Sequence, residues 1–151
     1  METVEEVTLQ RRYLSLVDET EEDQADTLKF SFSSEKPVSR YAFDEVLDHS
    51  EESVDMTRLN ASAPLLFNHN PDKPIGVVQR AWLSDRKGYA RIKWGTSQLA
   101  EEVRKDVESG ILKSISVGYR INEAEAEDKY GVMRATSWTP YELSVVTIPA
   151  D

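Results

Sequence analysis

Three residues able to do acid–base or nucleophilic chemistry each sit within an apolar run. His69 closes Pro64-Leu65-Leu66-Phe67-Asn68-His69, Ser116 stands in Ser114-Ile115-Ser116-Val117-Gly118-Tyr119, and Glu142 lies in Trp138-Thr139-Pro140-Tyr141-Glu142-Leu143-Ser144. An imidazole, with an ordinary pKa of ~6.5, is the usual general base at neutral pH. A serine hydroxyl becomes a nucleophile when such a base takes its proton. A carboxylate hydrogen-bonded to the other ring nitrogen fixes the tautomer. Histidine, serine and carboxylate in this order are the components of a serine hydrolase. Each also has a plain structural reading: a histidine bonded to the turn after it, a serine on a solvent face, and a glutamate paired with Arg120 or another base.

Other chemistry finds less support. His49, in Asp48-His49-Ser50-Glu51-Glu52, reads as a surface residue of an acidic stretch. His49, His69, Asp48 and Asp72 match no metal-ligand spacing with a mechanism, so no metal and no cofactor is expected. Gly110-Ile111-Leu112-Lys113-Ser114 lacks the preceding glycine of a phosphate-binding loop. Zero cysteines exclude disulfides, thiol nucleophiles and thiolate metal sites. The formal charge of −10, from 18 basic and 28 acidic residues, argues against nucleic-acid binding, which needs a basic footprint. No apolar run approaches the ~20 residues of a membrane-spanning helix, and the acidic N-terminus has no signal-peptide core.

The elements that must position the three residues follow from periodicity. The 151 residues suit a single domain over 1–151. Alternation predicts strands at 7–17, 28–32, 63–68, 111–121, 132–138 and 141–148, and a hairpin of 75–83 with 88–94. Asn70-Pro71-Asp72-Lys73-Pro74 reads as a tight turn. The acidic runs Asp18–Asp26 and Glu123–Asp128 read as loops. Phe43, Val46 and Leu47 have the spacing of a short helix. A second helix is better marked: Ser97 as N-cap, Leu99, Val103 and Val107 as the apolar stripe, Gly110 as terminator. The count predicts a mostly-β (α+β) barrel or sandwich with one or two helices.

Two strand faces bear on the site. Ile115, Val117, Tyr119 and Ile121 form the apolar face of one strand; Ser114, Ser116, Gly118 and Arg120 form a shallow face that lets another backbone approach. On the last strand, regular geometry puts Trp138, Pro140, Glu142, Ser144, Val146 and Ile148 together. A carboxylate on so apolar a strand is costly unless paired.

Pro64–Asn70 with Ile75-Gly76-Val77-Val78, then Gly110–Tyr119, then Trp138–Ala150 resemble, in order, the histidine, nucleophile and closing segments of the prohead (capsid maturation) serine proteases of tailed phages. The resemblance covers about Met56 to Asp151. It implies a closed β-barrel of short strands surrounded by helices, as in herpesvirus assemblin. It also implies His69 as general base and Ser116 as nucleophile. Assemblin-type sites use a second histidine after the serine, and none follows position 69 here; Glu142 is the best-placed substitute, with Asp72 the alternative. The implied activity is a serine endopeptidase acting on capsid and scaffold proteins, and on itself, inside the assembling prohead in the host cytoplasm, with self-association as a further expectation. The rival reading is a non-catalytic capsid-assembly or scaffold-binding module on the same fold. For the oxyanion, backbone N–H groups near Gly118 or in Ser62–Pro64 are the candidates. The family usually extends past the last residue, so a shortened or processed chain is expected.

Overall fold

Apolar alternation produces strands almost wherever it occurs. The computed structural model describes residues 9–15, 26–127 and 130–147. Its elements are β1 (Gln10–Ser15), β2 (Thr27–Ser34), β3 (Val38–Ser39), β4 (Asp44–Leu47), β5 (Pro64–Phe67), β6 (Asn70–Ser84), β7 (Lys87–Trp94), α1 (Gln98–Glu108), β8 (Ser114–Ala126) and β9 (Val132–Val146). They form one sheet in the order β1-β8-β9-β5-β6-β7-β2, with β4 joined to β9 and β3 to β4. β8 and β9 pair antiparallel along most of their length, while β4 and β5 add to the far edge of β9 in parallel. β9 thereby becomes the central strand, which is why Leu143, Ser144, Val145 and Val146 are all buried. Phe30, Phe32, Leu47, Leu59, Leu65, Ile75, Ile92, Ile115, Tyr119 and Trp138 fill the concave core.

The barrel is not closed. The sheet is an open, curled half-barrel whose end strands are β1 and β2, and among the described residues no ladder joins them. Side chains link β1 to the segment after β2 instead. The Arg12 guanidinium donates to the Lys36 and Glu45 carbonyls at 2.7 Å each and to Glu45 Oε2 at 3.0 Å. Arg40 Nη2 donates to the Arg11 carbonyl at 3.2 Å, satisfying an acceptor that a closed barrel would give to a neighbouring strand. Tyr119 donates its phenolic proton to Glu45 and accepts from Arg12 and Arg40. Burial, opposed by Arg12 and reinforced by Glu45, pushes its hydroxyl up to about 12. A buried carboxylate is tolerated when every partner is present.

The strands are also not uniformly short: β6 and β9 each run 15 residues and β8 runs 13. Glu123 and Glu125 belong to β8, not to a loop, because pairing of Glu123 with Ser137 and of Glu125 with Arg134 carries the ladder past the apolar segment. Phe43–Leu47 is not helical. Asp44–Leu47 pairs with Val132–Ala135 and its last three residues are buried, and so short a helix would not stand alone. The first acidic run, apart from Asp26, lies outside the described residues, as do the ends of the first and last predicted strands.

His49 is buried, contrary to the surface reading. Its Nδ1 lies 2.8 Å from the Leu47 carbonyl and its Nε2 lies 2.8 Å from Ser33 Oγ, while Trp138 packs against it edge-on at 5.2 Å. The carbonyl can only accept, so the proton sits on Nδ1 and Ser33 donates to Nε2. Burial holds this imidazole below its ordinary value.

The helix and the hairpin match expectation. Ser97 Oγ accepts from Ala100 N at 3.1 Å, Ala100 and Val103 are buried, and Gly110 has φ +78° after the last turn. β6 and β7 join through Asp85 and Arg86, both in the left-handed region, the geometry of a two-residue hairpin turn.

Candidate active site

The β5–β6 hairpin presents the histidine. Phe67 pairs with Asn70, so Asn68 and His69 are the two central turn residues, with φ of 51° and 56°. Two positive φ values describe a type I′ turn, in which asparagine is favoured. The turn therefore lies two residues before the predicted one, and Asn70–Pro74 belongs to β6. An asparagine next to the histidine was the signal for it.

β8 supplies Ser116 and β9 supplies Glu142. Ser116 pairs with Ser144, and Gly118 pairs with Glu142, so the four residues occupy adjoining positions on one face. His69 Nε2 is 2.7 Å from Ser116 Oγ, and His69 Nδ1 is 2.5 Å from Glu142 Oε1. The carboxylate accepts, so Nδ1 carries the proton and the bare Nε2 faces the serine hydroxyl. That is the tautomer a general base requires. The imidazole is only 5% exposed and the Glu142 side chain 24%, while Ser116 is fully buried. The structure thus brings together all three predicted residues. Asp72 is exposed on β6, with its N–H bonded to Asn70 Oδ1, and no hydrogen bond joins it to His69 among the described residues.

Regular alternation misassigned the rest of that face. Tyr119 pairs with Pro140 while Gly118 pairs with Glu142, leaving Tyr141 as an extra residue. This bulge inverts the side-chain order, so Trp138 packs against Tyr119 in the core while Glu142 points to the opposite face. Proline has no N–H to give a ladder, and bulges are where a central strand accommodates it.

Gly118 does have a close neighbour, though not a second backbone. An added Cβ would lie 3.0 Å from Glu142 Cγ, 3.2 Å from Glu142 Oε1 and 3.2 Å from Leu9 Cδ1. The missing side chain leaves the channel through which Glu142 reaches His69. Ser62–Pro64, one candidate source of oxyanion donors, runs into the start of β5, whereas His69 lies in the turn beyond its end.

Three further contacts were not foreseen as part of the site. Ser144 Oγ accepts the His69 backbone N–H at 3.1 Å. Asn68 Oδ1 accepts from Thr147 N at 3.0 Å, and Asn68 N donates to the Val145 carbonyl at 2.9 Å. The available signal for Ser144 was its position two residues after Glu142, on the same strand face. Among the described residues no three or more His, Asp or Glu side chains form a metal-binding group, and no helix is long and apolar enough to cross a membrane.

The fold is thus a mostly-β half-barrel that carries a Ser–His–carboxylate hydrogen-bond chain. The chain belongs to the caudovirus prohead serine protease family, whose model matches residues 5–151. It is 41% identical over 128 residues to the "Major capsid protein" of Halomonas phage phiHAP-1, covering 80% of this chain and 21% of that protein. It is 33% identical over 97 residues to the "Capsid polyprotein" of Pseudomonas phage PAJU2, covering 58% and 14% respectively. The chain thus spans about a fifth or less of the length of these curated relatives. Among solved structures, the bacteriophage T4 capsid assembly protease superposes with a TM-score of 0.59 at 10% identity, over 91% of this chain and 98% of that one. That likeness is one of fold.

Proposed function

We propose that this chain is a serine endopeptidase that cleaves capsid and scaffold proteins, and itself, inside the assembling prohead. The observation that carries this reading is the single imidazole bonded at once to Ser116 Oγ and Glu142 Oε1. Ser116 Oγ attacks the scissile carbonyl carbon as His69 Nε2 takes the hydroxyl proton. The tetrahedral intermediate collapses when His69 returns that proton to the leaving amine, and the C–N bond breaks to leave an acyl-serine. Water, deprotonated by His69, then attacks the ester and restores Ser116. Throughout, Glu142 stabilises the imidazolium through the Nδ1–H bond and remains ionised.

Capsid precursors are the substrate this reading favours, because two relatives similar to this chain over 128 and 97 residues are named "Major capsid protein" and "Capsid polyprotein". The test is labelling of Ser116 by a fluorophosphonate, with Ser116→Ala as control, alongside mass analysis of a capsid precursor incubated with each. Cleavage and labelling should vanish together in Ser116→Ala, since losing a serine nucleophile costs on the order of 10⁶ in kcat. Capsid-precursor binding without labelling or cleavage by the unmodified chain would favour the non-catalytic module instead.

A further inference from the structure

We propose that Ser144 and Asn68 are positioning residues that clamp the His69-bearing turn to β9 and hold the imidazole between Ser116 and Glu142. The inference rests on the triad reading above and assigns what sets its geometry. Two of its members, Ser116 and Glu142, come from adjacent paired strands, where the ladder fixes their spacing. His69 lies two residues beyond the β5–β9 ladder, which ends at Phe67 and Val145, on a two-residue turn, and a turn by itself does not hold a side chain to a few tenths of an ångström.

Three separate bonds supply the missing constraint. The buried Ser144 hydroxyl accepts the backbone N–H of His69 itself. Asn68 N donates to the Val145 carbonyl, and Asn68 Oδ1 accepts from the N–H of Thr147. The turn is thus attached at consecutive residues to Ser144, Val145 and Thr147. Glu142, the carboxylate partner, lies two residues before Ser144 on the same strand. Base and carboxylate are therefore referenced to one rigid segment, and Ser116 is referenced to it through its pairing with Ser144. The positive φ at Asn68 is accepted by asparagine more readily than by most other L residues, so the residue that adopts the turn also anchors it.

The test uses the full chain carrying Ser144→Ala, Asn68→Gly or Asn68→Asp. Ser144→Ala removes the acceptor for His69 N–H. Asn68→Gly keeps the left-handed backbone but loses the Oδ1 anchor, and Asn68→Asp keeps both. The first readout is fluorophosphonate inactivation, resolved into the maximal rate and the half-saturating concentration. The second is the low-field proton resonance of His69 Nδ1–H, which reports the Glu142 bond without any turnover.

Ser144→Ala and Asn68→Gly should lower the maximal rate by about 10–100-fold, because misplacing a reacting group by ~1 Å costs on the order of 10². The half-saturating concentration should stay unchanged, and the resonance should broaden or disappear. Asn68→Asp should restore both signals to near their original values. If Ser144→Ala does not fold, Asn68→Gly decides, since residue 68 is exposed and glycine suits its φ. Folded variants with unchanged rate and resonance would overturn the proposal. If the unsubstituted chain is never labelled at Ser116 while the resonance still depends on Ser144 and Asn68, the clamp stands and the hydrolase reading fails.

Discussion

Replacing Gly118 by alanine should slow the chemistry while leaving the protein folded, and the structure sets the size of both effects. The new Cβ would sit 3.0 Å from Glu142 Cγ and 3.2 Å from its Oε1, whereas unstrained carbon contacts lie near ~3.5–4.0 Å. Glu142 must therefore retreat by roughly 0.5 Å, and the 2.5 Å bond to His69 Nδ1 lengthens accordingly. Displacement on that scale should lower kcat by about 10–100-fold with little change in KM. Gly118 is not in the left-handed region, so alanine adopts its backbone and restricts the unfolded chain by about 0.4–1 kcal/mol. Crowding against Glu142 and Leu9 offsets that by ~1–3 kcal/mol, for a net loss of at most ~2–3 kcal/mol. The assay is kcat and KM on a capsid-precursor substrate with the urea midpoint measured in parallel, for Gly118→Ala, Glu142→Gln and the double variant. If Gly118 acts by leaving room for Glu142, the alanine should add little once Glu142 is glutamine. Full activity in Gly118→Ala, or a loss that adds undiminished to that of Glu142→Gln, would refute the reasoning.

Glu142→Gln alone should cut kcat by roughly 10³–10⁴, as wrong-tautomer variants of other triads do, while Asp72→Asn should stay within about threefold, since Asp72 is exposed and surface substitutions usually change free energies by no more than about 0.5 kcal/mol. Comparable kcat losses in the two variants would reassign the carboxylate. Acid should weaken the fold through His49. Because burial holds the folded pKa below the unfolded value, the unfolded chain binds more protons in the interval between them. Stability is then complete above ~6.5 and declines as pH falls from there towards the folded value. Urea titrations between pH 8 and 5 should show this decline, and His49→Ala, though less stable throughout, should flatten it. An identical slope in both proteins would contradict the assignment. A second decline belongs to Asp48: burial raises its pKa, but hydrogen bonds from Ser53, Ser50 and Arg134 outweigh that and bring it to about 2, so its contribution is lost only as pH falls below ~3.9.

The candidate site was legible in the sequence because its three residues interrupt local apolar patterns, and such patterns are read without knowing any partner. Ser116 and Glu142 stand out on strands whose neighbours are buried, and His69 stands out at the end of Leu65-Leu66-Phe67. The capped helix was legible for the same reason, since Ser97, the Leu99–Val107 stripe and Gly110 act within a few turns of one another. What pattern alone misplaced depends on contacts across long chain separations. Pairing with Val132–Ala135 made a strand of Asp44–Leu47, and the core around Trp138 buried His49. The Tyr141 bulge, visible only in the β8–β9 register, put Trp138 and Glu142 on opposite faces. Closure of the barrel depended on whether β1 and β2 would pair, and Arg12, Arg40, Glu45 and Tyr119 instead tie β1 to the segment after β2. The amino-acid sequence by itself determined which side chains could act and which strands would carry them. Only the tertiary structure decided the 2.5 and 2.7 Å bonds that join them, because a hydrogen bond between residues 47 and 73 positions apart is set by strand register and turn geometry, and neither is a local property of the chain.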